Sequence, residues 1–278
     1  MTTSQEAKAI TRQSLGLPPV EEIKPTVPVE AHVCDFPIWS YSKLRSTATL
    51  LKIAYEDGSF FTLDAPKGMP GPSFPGYLDC MLFFGQKDLF LKEHTSISVY
   101  QIFQTLRIDP TDGRNYEYFR RDMRRAFYMG LETDRFRNPV TGQRSHVRYF
   151  RVLQTMELAK SRREVSTFYF DPLFLASLRA GYLKRLDFDF CLHLDRQGEA
   201  LARFLYGHLL KRIGEKSIYQ RRLTGFLNDI GFSQVTEPKR ITERLKRTVF
   251  PALDLLKGEA IRSYELDGEG NIFFIPRD

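Results

Sequence analysis

The sequence predicts an α+β fold, two tandem winged-helix domains behind a flexible N-terminal arm, and three observations carry that expectation. Short helix, turn, long helix and hairpin follow one another over about 98–156, and the same order recurs over about 219–276. Each long helical stretch sets an apolar stripe at 3.6-residue spacing against a basic face. Asp-Gly pairs sit between β-prone runs, as tight hairpins require. With 278 residues, 42% apolar and 13% aromatic, the chain has material for one large or two ordinary domains of about 100–200 residues.

Composition excludes several classes. Glycine and proline number 18 and 15, too few for a collagen-like or wholly disordered chain. No window approaches the roughly 18 consecutive apolar residues of a membrane span, and the polar start lacks a secretory pattern, so a cytoplasmic protein without a membrane partner is expected. Cys34, Cys80 and Cys191 are too few and too scattered for a disulfide framework, and none has zinc-finger spacing. Neither a metal nor a cofactor is implied.

Residues 1–35 place Pro18, Pro19, Pro25 and Pro28 among charges with no persistent stripe, and are read as the arm. Order is expected to begin at Phe36, Pro37, Ile38 and Trp39. The runs 49–55 and 60–63 flank Asp57-Gly58 as a hairpin, and 77–90 reads as a helix with Leu78, Met81, Leu82, Gly85 and Leu89 on one side. A short helix at 98–107, a turn at 109–113, a helix at 114–129 and two strands at 131–137 and 145–156 complete a first domain spanning 36–160. The cluster Lys160, Ser161, Arg162, Arg163 reads as a linker. The second domain, 164–278, holds a strand at 165–169, a helix at 172–180, a strand through Asp187 to Phe190, helices at 199–213, 219–229 and 238–257, and a closing hairpin turning at 267–270. Pro251 should kink or locally break the last helix near Thr248, because its ring and missing N–H disrupt the preceding turn.

Charge is concentrated. Lys and Arg outnumber Asp and Glu by 41 to 34, and residues 111–151 alone hold ten arginines against five acids. A wheel of 114–129 turns Tyr116, Phe119, Met123, Ala126 and Phe127 inward and Arg114, Tyr118, Arg121 and Arg125 outward, with Arg120 and Arg124 alongside. A merely solvated face usually mixes Lys with Glu in i,i+4 pairs; this one carries guanidinium groups, which bind phosphate and fork to guanine. Arg114, Tyr118, Arg121, Arg124 and Arg125 are therefore candidates for DNA contact on the helix, with Arg135, Arg137 and Arg144 on the wing. Lys239, Arg240, Arg244 and Arg247 are their counterparts in the second head, and Lys211, Arg212, Lys216, Arg221 and Arg222 are placed to pass the phosphate backbone.

The stretch from Phe170, Asp171, Pro172, Leu173 and Phe174 through Arg185, Leu186 and Asp187, then Ala202 to Tyr206, then Ile230, Gly231 and Phe232, resembles the replication initiator protein A group of plasmid initiators. Phe36, Pro37, Ile38, Trp39 and Ser40 resemble the start of that family's folded region, and the likeness covers about 36–276. It implies two winged-helix domains that bind repeated duplex sites (iterons) at an origin, help open adjacent DNA and recruit the host initiator and replicative helicase. Some such proteins also act as dimers, so a second copy is a further implied partner.

No catalytic chemistry is legible. Gly214, Glu215, Lys216, Ser217 lacks the spacing of a phosphate-binding loop, and His193 lacks the paired histidine of a nicking centre. Asp187 and Asp189 on one strand face are an ordinary exposed pair, and the other histidines have no partner pattern, so no enzyme is expected. Two readings stay open beside the initiator: a winged-helix regulator at a promoter operator, and an adaptor whose basic face binds acidic proteins.

Overall fold

A computed structural model describes residues 25–31, 33–41, 48–55, 57–136, 141, 143, 146–213, 218–232 and 238–277. The arm expected over 1–35 divides accordingly: residues 1–24 and 32 lie outside the described residues, whereas Thr26–Glu30 is a strand, β1, followed by a 3-10 turn, Val33–Asp35, with all three residues buried. This corrects the expectation for that stretch. Its prolines are compatible with a strand because β1 pairs on one side only, and Pro28 needs no ladder donor on the free side.

The hairpin around Asp57-Gly58 forms as expected, from β2 (Thr49–Ala54) and β3 (Phe60–Ala65). Next comes α1 (Phe74–Leu91), with proline in its first turn. β4 (His94–Ser98) leads into α2 (Val99–Leu106), whose N-cap Ser98 accepts the Gln101 amide. The following α3 (Gly113–Tyr128) is capped by Asp112. β5 (Gly130–Thr133) and β6 (Arg148–Phe150) pair with each other, but they extend β2 and β3 into a four-stranded antiparallel sheet, β2-β3-β5-β6. The hairpin closing this half is instead β7 (Leu153–Glu157) with β8 (Val165–Phe170), in the sheet order β4-β8-β7.

Two expectations are corrected here. The residues 160–163 are the tip of the β7–β8 hairpin and not a linker, and β8 lies in the first half's sheet, past the expected boundary. Phe168 and Phe170 explain the pairing. Both are fully buried at alternate positions, and Phe168 meets Phe119 of α3 edge-on.

The chain continues with α4 (Pro172–Arg179), β9 (Leu183–Asp187), which pairs with β1, and α5 (Phe188–Gln197). The strand expected to run through Phe190 ends at Asp187, because that side chain caps α5 by accepting the Phe190 amide at 3.0 Å. Then α6 (Ala200–Arg212), β10 (Tyr219–Arg222), α7 (Leu223–Asp229), α8 (Pro238–Arg244), a π-helical turn (Leu245–Val249), α9 (Phe250–Asp254), β11 (Ile261–Leu266) and β12 (Asn271–Pro276) follow, with sheet order β10-β12-β11. The helix expected over 219–229 thus begins only at Leu223. The break expected from Pro251 takes the form of the π turn, which lets the Phe250 amide reach the Leu245 carbonyl while proline starts α9.

Apart from β5 and β6, which the first half inserts before its hairpin to extend the β2–β3 sheet, the two halves run through one order of elements: helix, strand, helix, helix, hairpin. In each, the first strand pairs with the last, which pairs with the middle one. The fold is mixed α and β, and apolar packing runs from one half into the other. Trp39 meets Phe204 edge-on, and the Trp39 indole N–H donates to the Ala200 carbonyl at 3.1 Å.

Candidate nucleic-acid interface

The outer face of α3 is set by what its inner face buries. Tyr116, Phe119, Met123 and Ala126 are buried, and the Phe119 ring packs against Tyr77 of α1 and Phe103 of α2 at 5.0 and 5.9 Å. The opposite side presents Arg114, Tyr118, Arg121 and Arg124 to solvent. Arg114 is 81% exposed and its guanidinium is held by the capping carboxylate of Asp112 at 2.9 Å, a side-on pair at the helix start. The Arg121 guanidinium lies 4.8 Å from the centre of the half-exposed Tyr118 ring. Together they form an aromatic and cationic surface on one helix, suited to phosphate and base edges.

Asp122 sits beneath that face. It is buried against the 69–71 loop, where a Cβ added at Gly71 would lie 2.9 Å from its carboxylate. Burial pushes this carboxyl up, opposed by the Arg121 charge, the Gly71 amide and Arg125. Arg125 follows it inward: its side chain is only 12% exposed and lies 3.8 Å from Asp122. The expectation that Arg125 faces outward is corrected, because its guanidinium turns back along the helix to the buried Asp122 carboxylate.

Arg135 is corrected likewise. It is buried, with its guanidinium 3.8 Å over the Tyr55 ring, donating to Ser59 Oγ at 3.1 Å and lying 3.7 Å from Asp57. It pins the β2–β3 turn. Arg137 and Arg144 lie outside the described residues.

The β7–β8 tip is the feature that the linker expectation concealed. Lys160 and Arg163 are exposed there, beside the first turn of α3. The Tyr116 hydroxyl donates to the Ala159 carbonyl at 2.9 Å, and the Tyr100 amide donates to the Arg162 carbonyl at 3.0 Å. Arg162 itself donates to the Pro110 carbonyl and lies over the Tyr116 ring, so it braces the tip. The alternation from Val165 to Phe170 was the available signal, since a strand needs a partner and a turn before it.

In the second half, Lys239, Arg240, Arg244, Lys246 and Arg247 are exposed along α8 and the π turn, opposite buried Leu245, Val249 and Ala252. Arg244 lies 5.0 Å over the Phe232 ring, and Arg247 pairs with Glu243 at 3.0 Å. Three residues expected to pass a phosphate backbone are engaged internally. Lys211 and Arg212 approach Asp35 at 2.6 and 3.2 Å, and Arg221 pairs with Asp229 at 3.1 Å. Lys216 lies outside the described residues, and Arg222 is exposed. The β11–β12 hairpin carries Glu265, Asp267 and Glu269 and no base between Ser263 and Pro276, the reverse of the β7–β8 tip.

Two halves with the same strand order, packed directly on one another, are the arrangement to compare with known structures. The fold resembles that of domains 2 and 3 of RctB. The crystal structure of a selenomethionine derivative of those domains aligns over 86% of this chain and 94% of that one, with a TM-score of 0.55 at 12% identity. A second crystal structure of RctB domains 2–3 aligns over 89% and 98%, with a TM-score of 0.52 at 12% identity. The likeness to RctB is therefore one of fold, and it takes in both halves together. No family model and no curated protein matches the chain. No described helix is long and apolar enough to cross a membrane.

Proposed function

We propose that this chain is a plasmid replication initiator that binds repeated duplex sites at an origin through two winged-helix modules, promoting melting and helicase recruitment without a covalent step. The observation that carries the reading is the exposed face of α3, where Arg114, Tyr118, Arg121 and Arg124 stand over a fully packed core. In this reading α3 enters the major groove, the β7–β8 tip is a wing whose Lys160 and Arg163 meet phosphate, and α8 with the π turn is the second reading helix. The acidic β11–β12 hairpin is repelled by phosphate, so the second module engages DNA through its helix alone. The resemblance to the replication initiator protein A group favours an origin over a promoter and brings the host initiator, the helicase and a second copy as partners, in the cytoplasm.

The test is duplex binding by the purified protein, read by fluorescence anisotropy and footprinting on the DNA next to its gene. Protection of direct repeats is expected; protection of a lone palindrome would make the chain an operator-binding regulator. Arg121→Ala should weaken the preferred site by about 1–3 kcal/mol and relax one base position, whereas equal loss on every sequence would make Arg121 a phosphate contact. Indifference to duplex at low salt would overturn the reading in favour of a protein adaptor.

A further inference from the structure

The two halves carrying the reading helices are bolted together by buried contacts. Arg203 of α6 donates through Nε and Nη2 to the two carboxylate oxygens of Asp79 on α1, at 2.7 and 2.6 Å, with both side chains almost wholly buried. One turn along α1, Phe83 stacks on Phe188 of α5 at 3.8 Å. Asn228 of α7 donates to the Ala54 carbonyl at the end of β2, at 2.8 Å. β1 packs against α1 and pairs with β9, and its buried Glu30 accepts the Val33 amide at 2.9 Å and the Ser177 hydroxyl at 2.7 Å. Asp35, just beyond, receives Lys211 from the far end of α6. These contacts come from several elements, and a hinge motion that opened the junction along α1 would expose a bidentate ion pair and an aromatic stack together. Burial makes each costly to separate.

A two-headed protein on a flexible linker tolerates changes in the distance between its half-sites, because the linker takes them up. A rigid one does not. Successive major grooves on one face of DNA lie about 10–10.5 base pairs apart, so a shift of about five base pairs turns the second half-site to the opposite face. We propose that the Asp79–Arg203 pair and the Phe83–Phe188 stack fix the separation of the two reading helices, so that half-site spacing is itself a determinant of which duplex this chain accepts. The proposal rests on the DNA-binding reading above, and its test keeps the two apart.

The preferred duplex is rebuilt with zero, one, five and ten base pairs inserted between the segments protected by the two modules, and affinities are compared by anisotropy. Affinity should fall at least 30-fold at five and at ten insertions, to the level of one half-site alone. In parallel, spin labels placed at Gln104→Cys on α2 and Thr224→Cys on α7, both exposed positions, report the distance between modules in the free protein; the three native cysteines are buried. One narrow distance distribution is expected. The double variant Asp79→Asn, Phe83→Ala should broaden it and restore binding to the ten-base-pair spacer.

Equal affinity across spacers, or a broad distribution in the unaltered protein, would overturn the proposal and leave the DNA-binding reading standing. A narrow distribution that survives the double variant would overturn the assignment to these residues. Should the unaltered chain ignore duplex DNA, the initiator reading fails, and the spin-label distances still decide whether the modules are locked. Should the double variant not fold, the spacer series and distances on the unaltered side chains decide alone.

Discussion

Replacing Arg203 by Met should be among the most destabilising single changes in this chain. The guanidinium lies wholly inside the junction, with its bidentate contacts to Asp79 at 2.6 and 2.7 Å and each side chain less than 5% exposed. Methionine fills much of the same space, so the loss is one of charge and hydrogen bonds, leaving a buried carboxylate without its cation. Removing one partner of such a pair costs about 3–5 kcal/mol, which in a chain of this size lowers Tm by roughly 6–20 °C. The companion substitution reverses the effect: Asp79→Leu with Arg203→Met exchanges the pair for apolar side chains and should lie between neutral and about 4 kcal/mol more stable than the unaltered chain. Urea denaturation followed by fluorescence suits the measurement, because Trp39 is the single tryptophan and its N–H is bonded at the same junction. A single substitution that costs under about 1 kcal/mol, or a double variant as weak as the single one, would refute the claim that the pair acts as a unit.

Two buried carboxylates should respond to pH in opposite senses. Asp195 is held well above the ordinary carboxylate range, by burial first and then by the charge of Asp79, against Arg203 and Arg196. The native state therefore keeps a proton that the unfolded chain releases above about pH 4, and stability drains as pH rises from there; Asp195→Asn should melt higher than the unaltered chain at pH 8 and no higher at pH 3.5. For Asp35, burial pushes the carboxyl up, but His208, Lys211 and Arg212 outweigh it and hold the group well below its usual range. Its stabilisation is present above about pH 4 and lost as acid titrates it, so Asp35→Asn should lower Tm at pH 7 with the deficit closing towards pH 2. Thermal melts across pH 2–8 check both, and parallel curves for variant and unaltered protein would contradict them. Gly85→Ala should destabilise although alanine favours helix, because the new Cβ would lie 2.0 Å from Thr95 Oγ1 and 2.4 Å from Thr95 Cβ. Adding Thr95→Ala should not restore the melting temperature, since the Cβ clash remains.

What the sequence discloses depends on how far along the chain the partners lie. The β2–β3 and β11–β12 hairpins were legible because Asp57-Gly58 and Asp267-Gly268 sit in the short turns between the strands they join. The α3 stripe was legible because helical spacing is local, and the break near Thr248 followed from Pro251 alone, though not its π-helical form. β1 was not, since its partner Leu183–Asp187 lies across most of the chain and its prolines mimic a disordered tail. The same limit hid the pairing of β8 with β4. A wheel places Arg125 outside because it gives the Cα direction and not the turn of the guanidinium back to buried Asp122, and no local rule brings Tyr55, Asp57 and Ser59 around Arg135.

That difference decides where the charge of the protein ends up. Arg125, Arg135, Arg203, Lys211, Arg212 and Arg221 turn inward on Asp122, Asp57, Asp79, Asp35 and Asp229. Such contacts withdraw bases and acids together, so they leave the formal net charge of +7 nearly intact and carry it to the surface. There it is unevenly spread. Arg114, Arg121 and Arg124 run along α3, with Lys160 and Arg163 on the hairpin beside its first turn, while Glu265, Asp267 and Glu269 occupy the corresponding hairpin of the other half. Under the proposed DNA-binding reading, a duplex would be drawn first to the module with the basic hairpin, and a locked junction would leave the second helix one place to meet its groove.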